Sequence, residues 1–265
     1  MTNDSPLKAI LVALAVALVC SVMVSTTRVL LKPARQAYQH LDRNRHIVLA
    51  AGLAETGEAL SDREIVARFR DLQAIVVDLE TARPSVSMDP ATFDQRAAAQ
   101  NPDLSVAIPR EKDIAGLGRR SRFAPVYFLT RDGRTDRIVL PVRGTGMWSM
   151  IYGYLALGPD LNTIAAVTFY EQGETPGVGD RFLDPAWQAQ WSGKTVYDSH
   201  GVVRFGIAAA KPDALRERYE VDAITGATVT TDSITNLVRY WMGDHGFGPY
   251  LLHLRESHLQ PETDQ

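Results

Sequence analysis

The sequence predicts a single N-terminal transmembrane helix followed by one mixed domain of the α+β class. Residues 9–27 contain no charged side chain. Helix-periodic and strand-like stretches then follow without a regular alternation of strand and helix. The composition, 45% apolar and 22% charged, is ordinary for a globular chain. We therefore predict a short tail at 1–8, a transmembrane helix at 9–27, a folded domain at 28–255 and a polar tail at 256–265.

The charge balance and the cysteine count exclude several classes of protein. The chain has 28 Lys and Arg against 31 Asp and Glu, a formal net charge of −3, so it lacks the basic excess of a nucleic-acid binder. Cys20 is the single cysteine, which excludes an intramolecular disulfide, a cysteine-based zinc site and a protein-bound iron–sulfur cluster. Six histidines without metal-ligand spacing lead us to predict no metal site: His40, His46, His200, His245, His253 and His258.

The uncharged N-terminal segment has the length of a membrane span. As a helix its residues extend roughly 28 Å, close to the hydrocarbon thickness of a bilayer. Two other interpretations are a buried core helix and a signal peptide cleaved after the small residues 25–27. A core helix of this length would normally show a polar stripe, and an A-x-A cleavage site is missing. An uncleaved anchor is the favoured interpretation.

The charges that flank the span give an orientation by the positive-inside rule. Lys8 precedes the span, whereas Arg28, Lys32 and Arg35 follow it closely. A simple count would keep the large domain in the cytoplasm. Because the rule weakens for long translocated domains, this count does not decide the orientation.

Two helical stretches are predicted after the span. Residues 28–60 carry a helix-like apolar stripe among charges. Ser61 then suits the N-cap of an amphipathic segment at 62–79. That segment ends in a β-branched run at 75–77, which equally suits a strand.

The middle of the chain is predicted to be irregular before strands resume. Residues 83–122 are rich in Pro, Asp, Ser and Arg, typical of a long loop excursion. Strand character returns at 137–142, 163–170 and 202–207, and 185–191 resembles a short helix. Three arginines inside the loop excursion are interpreted as a solvated cluster: Arg119, Arg120 and Arg122.

Residues 222–228, with the sequence DAITGAT, form the most informative motif. An apolar stripe with helical spacing follows directly, so Thr228 is predicted just before a helix N-terminus. Free N–H groups and the helix dipole favour a phosphate there. Thr230 and Thr231 are predicted N-caps, and Gly243 is predicted to end the helix. The alternative is that the motif is merely a turn into a capped helix.

A second motif, ETPGVG at 174–179, predicts a tight turn. Pro176 and Gly177 suit the two central positions of a type II turn, and Gly179 leaves the far side open. Such a turn can present backbone N–H groups to a flat ring, with Val178 over one face. The alternative is an ordinary surface turn with Glu174 in water.

A third motif covers residues 144–157, with the sequence GTGMWSMIYGYLAL. Because a strand precedes Gly144 and Gly146, a dinucleotide fingerprint is a rival interpretation. It is weak, since Ser149 replaces the third glycine and Trp148 would crowd a pyrophosphate. Trp148 suits a core position as well as a ligand contact.

These motifs together carry a family resemblance. The pattern D-x-x-[S/T]-G-A-T resembles the site at which FMN is attached through its phosphate to a threonine in flavoproteins of the Na+-translocating NADH:quinone reductase and of the related Rnf complex. Residues 174–179 resemble the E-T-P-G-[L/V]-G segment of the same proteins. Residues 144–157 and 160–163 resemble blocks of the NqrC protein. The departures are conservative: Thr225 stands where serine is common, and Val178 where leucine is common.

The resemblance implies the site residues. It implies a phosphoester between FMN and Thr228, and no metal. The part of the motif recognised by a flavin transferase would be Asp222, Thr225, Gly226 and Ala227. Further contacts to the cofactor are implied for Glu174, Thr175, Pro176, Gly177, Val178, Gly179, Trp148, Val229 and Thr230.

The resemblance also implies a function and partners. It implies a carrier of single electrons in a six-subunit complex that oxidises NADH, reduces ubiquinone and exports Na+. Its partners would be subunits of the NqrA, NqrB, NqrD, NqrE and NqrF type, a flavin transferase during maturation, and the lipid bilayer, with no nucleic acid. The implied location is the bacterial inner membrane, with one span and the FMN-binding domain in the periplasm, against the charge count.

Two alternatives stay open at this stage. One is the G-type FMN subunit of an Rnf complex, although such chains are generally shorter and lack the full block at 144–157. The other is a cofactor-free, membrane-anchored binding domain whose threonines only cap a helix.

Overall fold

The computed structural model describes residues 6–208 and 216–257, without the side chains of residues 33, 34 and 36. The chain divides into two compact units, residues 1–43 and 44–265. The predicted tail at 1–8 lies outside the described residues up to residue 5, and the predicted tail at 256–265 does so from residue 258.

The first unit is helical. Its described residues belong to helix α1, Pro6–Ala50. The segment Pro6–Lys32 of this helix is long and apolar enough to cross a membrane. Its most apolar stretch has a mean hydropathy of 2.6 and contains no buried residue. This agrees with the predicted span and not with a buried core helix, since the apolar side chains are exposed in the fold.

The second unit begins with the last turns of α1. That helix ends at Ala50, ten residues earlier than predicted, because Gly52 turns the chain with a positive φ of 69°. A side chain at Gly52 would also overlap the Arg137 guanidinium. Helix α2, Asp62–Phe69, then has Ser61 as its N-cap in a capping box with Glu64, as predicted.

The remaining elements build a mixed domain around one antiparallel sheet, as the predicted fold class requires. The strand interpretation of residues 75–77 is confirmed, and the short helix predicted at 185–191 is present. The helices are α3 Gln95–Gln100, α4 Pro185–Ala189, α5 Thr228–Met242 and α6 Gly248–Glu256. The strands are β1 Leu72–Asp78, β2 Arg83–Pro84, β3 Ser105–Ala107, β4 Arg119–Ser121, β5 Phe123–Arg131, β6 Arg134–Thr145, β7 Met150–Leu157, β8 Ile164–Glu171, β9 Gly206–Ala208 and β10 Glu220–Asp222.

The main sheet has the order β2-β1-β5-β6-β7-β8, and all its neighbouring strands are antiparallel. Strands β3 and β4 form a separate antiparallel pair, and β9 and β10 a parallel pair. One face of the main sheet packs against α5 and α6 in the larger core. The other face packs against the end of α1, where Ile47 and Ala50 meet Tyr127 and Tyr154. The sheet is thus covered on both sides within the second unit.

The prediction of an irregular region at 83–122 is wrong in part. This region contains α3, β3, β4 and a 3-10 turn at Pro102–Leu104. Arg120 is 6% exposed and its guanidinium donates to the carbonyl of Ser121 at 3.1 Å. Arg122 pairs with Asp78 at 2.6 Å. The interpretation of the arginines as a solvated cluster therefore fails for Arg120, which is buried in β4, whereas Arg122 pairs with Asp78 and keeps 41% of its side chain exposed.

The strand predicted at 202–207 is also displaced. Residues 206–208 form β9, whereas Val203 makes only an isolated bridge with Tyr197. The turn between Tyr197 and Val203 is organised by Asp198. Its carboxylate accepts from Arg204 at 2.7 Å and from the backbone N–H groups of His200 and Val202. Local side-chain bonding thus competes with strand pairing.

The Asp198 turn gives a pH-dependent prediction. Hydrogen bonds from the Arg204 side chain and the Val202 backbone lower the pKa of Asp198 to about 2. A lowered folded-state pKa contributes stability above the unfolded-state value, and this contribution is lost as the pH falls from about 4 to about 2. We expect Asp198→Asn to lower the thermal midpoint at neutral pH and to show a smaller further decline between those pH values. Thermal unfolding of both proteins from pH 7 to pH 2 measures this, and parallel pH profiles would contradict it.

Candidate cofactor site

The first turn of α5 presents the predicted acceptor threonine. The parallel strand β10 ends at Asp222, and the chain turns at Gly226, whose φ is 83°. Helix α5 begins at Thr228 itself, with Ala227 as an N-cap that provides no side-chain acceptor. Thr228 is exposed. A free hydroxyl therefore stands beside N–H groups that lack a side-chain cap, a suitable position for an anionic group.

The predicted N-caps are wrong. The N–H of Thr231 donates to the carbonyl of Ala227 at 2.9 Å, so the helix starts before both predicted caps. Thr230 is 1% exposed and Thr231 is 3% exposed. Both are interior helix residues, and the Thr230 hydroxyl donates to Glu174 at 2.8 Å, a tertiary contact that outweighs its local preference for a cap. The predicted helix end is confirmed, since Gly243 is the C-cap residue.

A cleft of about 580 Å³ opens at this helix start. Its volume is in the range of small-molecule sites. It contains two carboxylates, Asp222 and Asp232, and no basic side chain among the described residues. An added Cβ at Gly226 would meet nothing within 4 Å, so the approach to the turn is open. The cleft is lined by Ile207, Ala208, Asp222, Ala223, Ile224, Thr225, Gly226, Thr228, Thr231 and Asp232.

A smaller groove of about 250 Å³ adjoins the cleft at residues 222–225. It shares residues 222–225 with the cleft and adds Arg181 and Trp187. The indole of Trp187 donates to the carbonyl of Asp222 at 2.8 Å, and the N–H of Asp222 donates to Gln190 at 3.0 Å. The backbone of Asp222 is thus held firmly while its side chain stays exposed.

One polar atom in the cleft wall shows that the site suits a phosphate-bearing ligand. The hydroxyl of Thr231 is buried and, within the described part of the chain, has no hydrogen-bond partner. An unpartnered buried hydroxyl is costly unless a ligand satisfies it. With Thr228 and the N–H groups of the first turn, it provides the donors that a phosphate or a ribityl hydroxyl requires. These residues therefore fit the phosphate end of FMN.

The turn predicted at 174–179 is present, but Gly179 is buried and the N–H groups of Gly177, Val178 and Gly179 bond within the protein. The carbonyl of Thr175 accepts from the N–H groups of Val178 at 3.2 Å and Gly179 at 2.9 Å. Gly177 has a φ of 76°, as the third position of a type II turn requires. Residues 175–178 are exposed at the surface.

Glu174 is not in water. It is 3% exposed, and its carboxylate accepts from the Trp148 N–H at 3.0 Å and from the Thr230 hydroxyl at 2.8 Å. The ordinary surface-turn alternative is therefore wrong at this residue. This one side chain therefore joins the motifs at 144–157 and 174–179 to the first turn of α5, directly after the motif at 222–228.

Three apolar side chains on these segments are exposed. Trp148 is 68% exposed, Val229 is 52% exposed and Val178 is 45% exposed. A core role for Trp148 is therefore wrong. None of the three lines the cleft, which receives Asp222, Thr225, Gly226 and Thr228 from the predicted set. Ala227 and Gly179 are buried behind the site, and Thr230 faces Glu174.

Several residues of the site were not predicted from the sequence. Thr231 and Asp232 lie three and four positions after Thr228, so the helical period places them on the same face of α5. Starting the predicted helix at Thr228 would have found them. No helical spacing in the sequence links three other residues to the site, because they lie on other elements: Ile207, Ala208 and Arg181.

The fold and the site define the class of this protein. Residues 146–243 match the family model of the FMN-binding domain, and this range contains the turn at 174–179, the motif at 222–228 and helix α5. The chain is thus a mixed α/β protein with an FMN-binding domain and one N-terminal apolar helix.

Similar proteins define the particular family. The chain is 42% identical to the NqrC protein of the Na+-translocating NADH-quinone reductase of Pseudomonas aeruginosa, over 96% of this chain and 98% of that protein. It is 35% identical to the corresponding protein of Yersinia pestis, over 97% and 96%. The chain belongs to the NqrC family of the Na+-translocating NADH-quinone reductases. This decides between the two families that share the motif at 222–228.

Solved structures agree with this assignment. The crystal structure of Shewanella oneidensis NqrC superposes with a TM-score of 0.74 at 34% identity, covering 83% of this chain and 99% of that one. The corresponding protein from Parabacteroides distasonis shares the fold, with a TM-score of 0.64 at 21% identity over 83% of this chain and 96% of that one. The relatives are named as subunits of an NADH-quinone reductase, so this chain is a subunit of an oxidoreductase complex.

Proposed function

We propose that this chain carries FMN esterified through its phosphate to Thr228, and that it relays single electrons in a Na+-translocating NADH:ubiquinone oxidoreductase. The observation that carries the proposal is the exposed Thr228 hydroxyl at the uncapped start of α5, in a cleft of about 580 Å³. The FMN-binding domain and the named relatives support the cofactor and the complex.

The charges in the cleft favour an ester over a free phosphate. A phosphate monoester carries about −1.5 to −2 charges at neutral pH, whereas a diester carries one. The described lining of the cleft holds two carboxylates, and Arg181 lines the adjoining groove. Formation of the ester lowers the phosphate charge beside these two carboxylates. The covalent bond then secures the cofactor.

Each part of the site has a separate task. The first-turn N–H groups and Thr231 would hold the phosphoryl end, and Gly226 leaves space for its approach. The exposed side chains of Trp148, Val178 and Val229 would contact the ring. When bound, FMN supplies the electron-transfer chemistry. The protein sets the surroundings of a ring that is itself chemically unmodified.

The proposal includes a location and partners. The apolar helix anchors the chain as a single span in the inner membrane, and the FMN-binding domain faces the periplasm. The five partner subunits are of the NqrA, NqrB, NqrD, NqrE and NqrF type, and a flavin transferase forms the ester. The periplasmic side opposes the count of Lys8 against Arg28, Lys32 and Arg35, a rule that weakens for large translocated domains.

Intact mass spectrometry tests the attachment. The full chain is co-expressed with a flavin transferase, denatured, and examined by mass and by in-gel fluorescence. The expected result is a mass gain of one FMN less one water, with flavin emission in the protein band. An unmodified chain, from cells in which the same transferase labels a control protein, would contradict the proposal.

Asp222 is expected to serve attachment and not folding. Its backbone bonds to Trp187 and Gln190 survive in Asp222→Ala, whereas its exposed carboxylate is lost. A hydrogen bond to a charged group contributes about 1.5–3 kcal/mol, so the initial flavinylation rate should fall by about tenfold or more. A time course of in-gel flavin emission measures this. Asp103→Ala, which removes an exposed carboxylate that does not line the cleft, is the control and should be labelled near the wild-type rate. Equal rates for all three proteins would contradict a role for Asp222 in recognition.

A further inference from the structure

We propose that Glu174 is a positioning residue that fixes the loop of Trp148 against the first turn of α5, so that Trp148 lies against the flavin ring. This inference rests on the proposed attachment of FMN to Thr228. It assigns Glu174 an indirect task, because its carboxylate is directed to protein donors.

The contacts of Glu174 join segments that are distant in sequence. Its carboxylate accepts from the N–H of Trp148 at 3.0 Å, 26 residues earlier, and from the hydroxyl of Thr230 at 2.8 Å, 56 residues later. The N–H of Glu174 itself donates to the side chain of Gln172. At 3% exposure these bonds are shielded from water. One side chain therefore fixes the indole loop relative to the helix that carries Thr228.

Two glycines make room for this side chain. A Cβ at Gly146 would lie 2.5 Å from Glu174 Oε1, and a Cβ at Gly179 would lie 3.1 Å from Glu174 Cβ. Neither glycine has the positive φ that requires glycine for conformational reasons. Close approach is the reason for both. The loop and the turn are thus shaped around Glu174.

The donors that reach Glu174 identify its task. Among the described residues, its carboxylate forms no ion pair, and its two side-chain bonds come from neutral donors. Burying a carboxylate is costly when a cation does not balance it. A buried acceptor with two well-placed donors specifies one arrangement of the segments that it joins. The carboxylate therefore fixes the position of the Trp148 backbone, while the Trp148 indole remains exposed.

Flavin emission reports this geometry. An indole in contact with a flavin ring quenches its fluorescence, so Trp148→Phe should raise the emission of the folded flavoprotein. Loss of the buried acceptor in Glu174→Ala should shift the loop by about tenfold or more toward displaced arrangements. We expect Glu174→Ala to reach the emission of Trp148→Phe. The double variant should show no further increase, since both changes remove the same contact.

The experiment uses the full chain in detergent, co-expressed with a flavin transferase. Emission of the folded sample is divided by that of the same sample after denaturation, which corrects for the amount of attached flavin. Glu174→Gln is the conservative control: its amide oxygen can still accept from Trp148, and its NH2 group can donate to the Thr230 hydroxyl. It should stay near the wild-type ratio.

Each outcome decides the inference. Wild-type emission in Glu174→Ala, or additive increases in the double variant, would overturn it. If Glu174→Ala fails to fold, Thr230→Val removes one of the two bonds without a change of shape, and a raised ratio then supports the inference while an unchanged ratio overturns it. Attached flavin with unchanged emission contradicts the role of Glu174 alone. Absence of attached flavin in the wild type overturns the proposed function and this inference with it.

Discussion

Replacement of Thr228 by alanine is expected to give a folded chain that carries no covalent flavin. The hydroxyl is the atom that the ester requires, and Thr228 is exposed at the first residue of α5. The substitution therefore removes no core contact, and alanine is a good helix former. Changes at exposed positions of this kind usually stay within about 0.5 kcal/mol in the free energy of unfolding. Intact mass after co-expression with a flavin transferase should show the unmodified chain alone.

Two controls make the Thr228 result specific. Thr228→Ser keeps a hydroxyl at the same position and should retain some covalent flavin. Val86→Ala changes an exposed residue that does not line the cleft and should be labelled like the wild type. The thermal midpoint of Thr228→Ala, measured without the transferase, should match that of the wild type. Covalent flavin in Thr228→Ala would place the ester on another residue and overturn the assignment.

The sequence predicted the local structure of the motif at 222–228 better than its tertiary contacts. The DAITGAT motif correctly placed an exposed threonine at the start of an amphipathic helix. It did not locate the first helical residue, because Thr230 and Thr231 have the local preference of N-caps. In the fold the Thr230 hydroxyl is engaged by Glu174 at 2.8 Å. A partner 56 residues away cannot be read from local propensity.

The same reason explains the errors in the middle of the chain. Pro, Asp and Ser at 83–122 indicate turns, which are present, but Arg120 and Arg122 are fixed by β3–β4 pairing and by Asp78. Long-range pairing determines the positions of these arginines. The N-cap at Ser61 and the Pro-Gly turn at 176–177 depend instead on neighbours in sequence. These two local signals were confirmed, whereas the solvent exposure of several side chains was predicted wrongly. Glu174, which the surface-turn alternative placed in water, is buried, and Trp148, which suited a core position as well as a ligand contact, is exposed.

Of the tryptophan variants, Trp241→Ala is expected to lower the free energy of unfolding most. We expect it to reduce flavin attachment as a consequence. Trp241 is fully buried in α5, and its indole donates to the Arg143 carbonyl of β6 at 2.7 Å. Its ring also packs on Phe247, with centroids 5.5 Å apart. Truncation of a buried tryptophan costs about 3–5 kcal/mol, a large part of the about 5–15 kcal/mol that stabilises a typical domain. At about 2–4 °C per kcal/mol for a domain of this size, the thermal midpoint should fall by about 10 °C.

A second tryptophan provides the matched control for this prediction. Trp148→Ala removes the same number of atoms from a side chain that is 68% exposed, so without attached flavin its midpoint should stay near the wild-type value. Trp241→Phe keeps most of the packing and leaves the Arg143 carbonyl without its donor, and should fall between the two. Equal midpoints for Trp241→Ala and Trp148→Ala would contradict the burial that positions α5. Because α5 carries Thr228 at its first residue, a chain with α5 loosened at Trp241 should also be labelled with flavin more slowly. A loss of labelling without a loss of stability would show that Trp241 acts in some other way than by packing.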